Sequence, residues 1–397
     1  MAGPWRTIDF ELFAQLEAAF GTSPGALAGT DAFKCHALVP FKRVISRYDR
    51  DKDQGNQASV LSTQKGREKS SWSLSGDLIP SGNAATPTAP DMDNLFEAHL
   101  GEKFTCIANT TTAAGSAGVT LNLTAGGGAA SAIRTGGGDL IAIDVDATNG
   151  VEVRQVISRA TDVVTLDRAL SANPAVSRNV YVGTTYRLLA SALKTLHLWQ
   201  YLNSDNFRHK TGGNIANAMK LSCDFSSQTP IAEVTFGGEG LQIVAHATAR
   251  PTPTTAGEPL LPTEAKVFIG ASGKLCAVKA GIDSNNGLEL RESESCSLYP
   301  TGVKRTGNGG RYAVTQDLDL LLVSGIVEGY YDNASALTAY DVIVQLGVSV
   351  GKIVAWRTPK FILDADPGDQ DGEVSLQMKG KCYGLTSVDT ELAVAFI

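Results

Sequence analysis

Methionine, histidine and cysteine are all scarce in this chain of 397 residues, at 4, 5 and 6. The imidazoles of His36, His99, His197, His209 and His246 include no pair at ligand spacing, so little is left for a metal centre or for general acid–base work. Cys35, Cys106, Cys223, Cys276, Cys296 and Cys382 form no Cys-x-x-Cys pair, which argues against a zinc module. They read as small buried thiols in a reducing compartment, with Cys223, Cys276 and Cys382 in strands. Basic runs are missing too. Lys and Arg number 34 against 41 Asp and Glu, for a net charge of -7 and a pI of about 5.4. That balance disfavours a surface that grips nucleic acid, but not one that DNA merely passes. No apolar stretch nears the roughly 18 residues of a membrane span, and Met-Ala-Gly-Pro-Trp does not resemble a signal peptide. Neither a membrane protein nor a secreted one is expected.

What is present is glycine, 41 residues of it, with 43% hydrophobic and 19% charged residues. This is the composition of a folded chain, and its length suggests two or three domains. The pattern predicts an amphipathic helix over residues 8–20, where Phe13, Leu16 and Phe20 recur at helical spacing before Gly21. A strand is expected at 40–48, a polar loop at 49–69, a strand through Trp72, Leu74 and Leu78, and a short helix at 91–100 ended by Gly101. Residues 105–189 change texture: two triple-glycine stretches punctuate short strands, one pair joined by Asn149-Gly150, a hairpin signal. They read as an inserted small β-barrel domain. Strands resume from 190 to 247. Residues 248–262, with Pro251, Pro253, Pro259 and Pro262, read as a stiff Pro/Thr linker, and β-rich sequence fills 263–397.

The two outer parts echo each other in order and texture: strand, loop, long strand, short helix, paired strands. The expected fold is therefore mainly β, with two sandwich or barrel units, short helices and the insert. The first unit covers 1–104 with 190–247, and the second covers 263–397.

The motifs of common chemistries are missing. Neither GGGAAS (126–131) nor GGGDLI (136–141) is followed by Lys-Ser/Thr and a helix, so no phosphate cradle is expected. There is no Gly-x-Ser-x-Gly elbow and no His-Glu-x-x-His. The acidic run Asp364, Asp366, Asp369, Asp371 and Glu373 lacks the spacing of an EF-hand and reads as a solvated loop. Trp5, Trp72, Trp199 and Trp356 are dispersed rather than gathered into a stacking platform. No catalytic residue, cofactor site or metal site is assigned, and an enzyme is not expected.

The segments SSWSLSGDLIPSGNAATPTAPDMDNLFEAHLG, KTLHLWQYL, GNIANAMKLSCDF and IAEVTFGGEGLQ resemble successive passages of the tail tube (major tail) proteins of long-tailed bacteriophages. EVSLQMKGKCYGLTSVDTELAVAFI resembles their closing hairpin. The likeness covers about two thirds of the chain and leaves out the insert. It implies subunits that form stacked rings around the channel of genome ejection, in a virion assembled in the host cytoplasm. It also implies contacts with a tape measure protein, a tail terminator and tail-tip proteins. DNA would be met in transit only, without specific binding, and no membrane is involved. Such rings hold six tube units, so a chain with one unit would form a hexamer and a chain with two a trimer; the repeated texture favours three. The alternative is a tail-tip or decoration protein that binds a receptor or carbohydrate through the insert.

Overall fold

Strands account for most of the chain, as its alternating apolar runs require, and the fold is mainly β. The computed structural model describes residues 10–36, 41–48, 64–189, 194–202, 207–254, 257–262, 264–270, 275–292, 299–306, 311–321, 328–370, 373–385 and 391–397. The first part gives β1 (Phe10–Leu16), β2 (Ala32–Phe33), β3 (Lys42–Tyr48), β4 (Gln64–Asp77), helix α1 (Asp93–Leu100) and β5 (Gly101–Thr105). The middle holds β6 (Thr110–Thr111), β7 (Thr120–Asn122), the single turn α2 (Gly127–Ala130), β8 (Leu140–Asp146), β9 (Gly150–Ala160), β10 (Val163–Leu166) and β11 (Asn179–Tyr181). Next come β12 (Thr184–Leu188), β13 (Leu196–Leu202), β14 (Phe207–Asp224), β15 (Ala232–Gly240) and β16 (Val244–Ala245). The last part contains β17 (Ala265–Ile269), β18 (Ala277–Asn285), β19 (Leu288–Leu290), β20 (Val303–Arg305), β21 (Ala313–Leu321) and helix α3 (Glu328–Ala334). It ends with β22 (Ala339–Leu346), β23 (Val354–Gln370), β24 (Glu373–Cys382) and β25 (Ala393–Phe396).

A front sheet runs in the order β3-β4-β15-β14-β18-β21-β24-β23, antiparallel throughout. Behind it lie β2-β1-β13-β14-β16 and β17-β22-β23-β25-β12-β5. The long strands β14 and β23, 18 and 17 residues, belong to both layers. Each begins in the back, paired with β13 or β22, and finishes in the front, paired with β15 or β24. One apolar core from both parts of the chain fills the space between. At its centre α1 inserts Phe96, whose ring lies 5.0 Å from Phe236 of β15 and 5.0 Å from Phe396 of β25.

Connectivity repeats along the chain. The order β1, β3, β4, α1, β13, β14, β15 is matched by β17, β18, β21, α3, β22, β23, β24, and corresponding strands take corresponding partners. Among its described residues the Pro/Thr connector between the two series has no strand of its own after β16, yet it is fastened at its far end. Leu260 is buried, donates its N–H to Leu78 O (2.9 Å) and accepts from Ala232 N–H (3.2 Å).

Three local expectations are corrected. Residues 10–16 form β1 rather than part of a helix, because Leu12 and Ala14 face the main core while Phe13 packs on the other side with Trp199 and Tyr201. Two buried faces erase the polar half of a strand pattern and leave a spacing that mimics a helix. Residues 64–69 of the expected polar loop already belong to β4, while 49–63 lie outside the described residues. Asp364, Asp366 and Asp369 of the acidic run are in strand, not loop: β23 extends through Pro367 to Gln370, paired with β24, which starts at Glu373, while Asp371 lies outside the described residues. Pro367 fits there because the β22 ladder ends at Ile362, so among the described residues no neighbour on that side calls for an N–H at this position.

The middle stretch forms its own sheet, β6-β11-β8-β9-β10-β7. A bridge between Thr112 and Leu123 brings β7 back to β6, so the sheet curls around a separate core of Leu121, Ile141, Ile143, Val156, Val164 and Val180. The chain leaves at Thr105 and returns at Thr184, and these residues are paired across β5 and β12. The curled sheet rests against the back layer. Leu140, Ala142 and Val153 pack on Phe268, Ile343, Ala355 and Ala395, and the Arg154 guanidinium lies 4.3 Å above the Phe268 ring. Polar contacts fix the seam: Val153 N–H donates to Gln345 Oε1 (2.9 Å), and Lys266 Nζ donates to the carbonyls of Asn149 (2.6 Å) and Val151 (2.7 Å).

Candidate functional site

Residues singled out in the sequence do not converge. His99 is buried in α1, His197 in β13 meets Glu17 at 3.1 Å, and His36 meets Asp77 at 2.5 Å on the surface. His209 lies in β14, and His246 follows β16 with its ring 5.2 Å from Tyr201. Trp72 and Trp356 belong to the main core and Trp199 to the cluster behind it; Trp5 is outside the described residues. Cys106, Cys223 and Cys382 are buried, and burial pushes each thiol up to about 12. Cys276 is exposed and precedes β18 rather than lying in a strand, and Cys296 is outside the described residues. Among the described residues, no group of three or more His, Cys, Asp or Glu is arranged to hold a metal ion.

The glycine stretches serve the insert internally. A helical turn, α2, does start within the first stretch, contrary to expectation, but its cradle is already filled. The amides of Gly126 and Gly128 donate to the Asp162 carboxylate at 2.9 Å each, holding Asp162 below its ordinary pKa. In the second stretch, a side chain at Gly137 would drive a Cβ to 2.2 Å from Ile157 O, and its φ of +73° also calls for glycine.

The feature the sequence concealed is a face. Pairing registers align side chains in rows across the front sheet, on the side away from the core. One row reads Ser75, Thr235, Lys220, Asp283, Thr315, Lys381, Ile362. The next reads Asp77, Glu233, Ser222, Gly281, Asp317, Lys379, Asp364, and a third Asp224, Lys279, Asp319, Gln377, Asp366. These rows carry eight carboxylates and four lysines, with no arginine, histidine or aromatic ring. Unlike charges stand opposite one another at Lys220/Asp283, Asp224/Lys279, Lys279/Asp319 and Lys379/Asp364, an arrangement worth about 0.2–1 kcal/mol per pair. Toward the β4 end, Lys69 sits 2.9 Å from both Glu239 and Glu292. Burial would lower the Lys69 ammonium, but the hydrogen bonds to Glu292 and Glu239 outweigh it and hold the pKa above its ordinary value.

Across these three rows the face is net acidic, and it is continuous across the β14–β18 seam, where the two repeated series meet. These rows hold none of the arginines and rings that grip phosphates or stack bases, and their excess of carboxylates repels a polyanion. A separate cavity of about 330 Å³ lies between β1, β2 and the start of α1. Its buried Asp91 is raised to about 6 by desolvation, offset in part by the N–H of Lys34. No protein-family model matches the chain, and no curated protein matches it in sequence.

Proposed function

We propose that this protein is the ring-forming subunit of a phage tail tube, with the polar face of the front sheet turned to the channel through which the genome leaves the virion. The observation that carries this reading is the continuity of that face through β14–β18 across two topologically matching series. A strand-built wall whose carboxylates outnumber its lysines lets DNA slide, because its net charge repels phosphates rather than neutralising them. Two series per chain make three chains per ring the favoured count. Tape measure, terminator and tail-tip proteins are the partners this role calls for. Electron microscopy of the purified full chain tests it: long hollow tubes are expected, and single particles with no lumen would overturn it.

A second reading, a tail-tip or decoration protein, draws on the insert. Val119, Ile157, Val163 and Val176 are at least two-fifths exposed there, the kind of surface that serves contact with a partner. Discrete oligomers that bind host cells or glycans through residues 110–181 would favour it.

A further inference from the structure

The root of the insert holds an open cleft of about 440 Å³ that the tube reading leaves without a role. Four elements meet there: β5 brings Glu102 and Phe104, β12 brings Arg187, β9 brings Arg159, and the loop between α2 and β8 brings Arg134 and Gly136. Three guanidiniums thus share the lining with one carboxylate, on a chain whose net charge is -7. Each guanidinium is fixed by its neighbours. Arg187 Nε and Nη2 reach Glu102 Oε2 at 2.7 and 2.6 Å. Arg134 bridges Glu102 (3.1 Å) and the buried Asp139 (2.6 Å), 4.6 Å above the Phe104 ring. Arg159 Nε and Nη1 donate to the carbonyls of Ile133 (2.7 Å) and Thr161 (2.6 Å), and among the described residues it makes no ion pair. The triple-glycine stretches make room for this arrangement. A Cβ at Gly138 would come within 2.1 Å of Arg187 Nη1, and one at Gly128 within 3.0 Å of Arg159 Nη1.

We infer that this cleft binds a phosphate group, free or carried on a small organic molecule, between Arg159 and Arg187. The donors left over carry the argument. Nη2 of Arg159 and Nη1 of Arg187 have no acceptor among the described residues, and they belong to different strands. A planar carboxylate is spent on one guanidinium fork, as Glu102 is on Arg187, whereas a tetrahedral phosphate offers oxygens in several directions and can serve two guanidiniums at once. Because other contacts already hold both side chains, binding has little left to order. The small excess of guanidinium over carboxylate suits a single dianion. It does not suit duplex DNA, whose retention rests on many phosphate contacts. The space also lies within the roughly 300–1,000 Å³ of small-molecule sites.

Isothermal titration calorimetry of the full chain with glucose 6-phosphate, inorganic phosphate and glucose tests this. Saturable binding of one glucose 6-phosphate per chain is expected, and no binding of glucose. An ester held tenfold more tightly than inorganic phosphate would support a carried phosphate, and equal affinities would support the free ion. Saturable binding of neither would overturn the proposal. Gly136→Asp tests the location without disturbing the arginines, because a Cβ there meets nothing within 4 Å. That variant should keep the parent's melting temperature and weaken phosphate binding tenfold or more, while Gly136→Asn stays close to the parent. Arg159→Gln should abolish binding. Affinity unchanged in a folded Gly136→Asp or Arg159→Gln variant would put the phosphate elsewhere and overturn the assignment.

Discussion

His99 shows what a single buried side chain contributes to this molecule. Its Nδ1 donates to Ala216 O at 2.9 Å, and the Ser284 hydroxyl donates to its Nε2 at 3.0 Å, so the ring is neutral and ties α1 to both strands of the β14–β18 seam. Desolvation lowers it to about 4 from an ordinary 6.5. Because the unfolded chain takes up this proton first, the stability it confers is full above pH 6.5 and declines as pH falls toward 4, by about 3 kcal/mol in all. Asp91 has the opposite sign. Its carboxyl, raised from 3.8 to about 6, is protonated earlier in the folded state, so its contribution is present at low pH and disappears as pH rises through 6. Urea unfolding from pH 4 to 8 separates the two. His99→Asn should flatten the acid side relative to the unmodified chain, and equal slopes would refute the assignment. Asp91→Asn should match the parent at pH 4 and exceed it by about 1–3 kcal/mol at pH 8. Phe96→Ala, which removes the ring that joins both layers, should cost about 3–5 kcal/mol in the same assay.

At the scale of elements, the insert is a module by its connections but not by its packing. Thr105 and Thr184 are paired neighbours, so a direct join across residues 106–183 preserves the β5–β12 ladder. The deletion nevertheless bares Phe268 and Ile343, each worth about 1.5–3 kcal/mol when buried, and strips Lys266 of its two carbonyl partners. The shortened chain is expected to fold with a melting temperature lower by several degrees, and to recover part of that loss with Phe268→Thr and Ile343→Thr. A melting temperature equal to the parent's would show that the seam contributes nothing. Some elements could be read from the sequence because their signals were local: α1 precedes Gly101, and β8 and β9 flank Asn149-Gly150. β1 could not, since its apolar residues on both faces satisfied a helical spacing equally well. The clustered carboxylates of 364–373 read as a solvated loop, but much of that run is strand at a sheet edge. The polar face was illegible for a different reason. Its rows align residues as distant as Ser75 and Ile362, and no window of sequence contains a register.

For the molecule as a whole, the sign of the charge on the front face is the property to change. The unmodified protein should leave duplex DNA unretained in a filter-binding assay near 0.15 M salt. A variant with Asp283, Asp317 and Asp364 replaced by lysine converts those three rows to a net positive surface. It should retain DNA with an affinity that falls steeply as salt rises. Retention by the unmodified chain, or none by the variant, would refute the proposed role of the face. The seam through β14 and β18 has a further consequence, for kinetics and for descent. Because both strands belong to one polypeptide, they meet by a first-order step at a tethered local concentration that dilution cannot alter. Each side of that seam also has one permanent neighbour. Lys220 and Asp283 can therefore drift together as a private pair, free of any need to suit the outer edges, and two matching series can lose residue identity while keeping their shape.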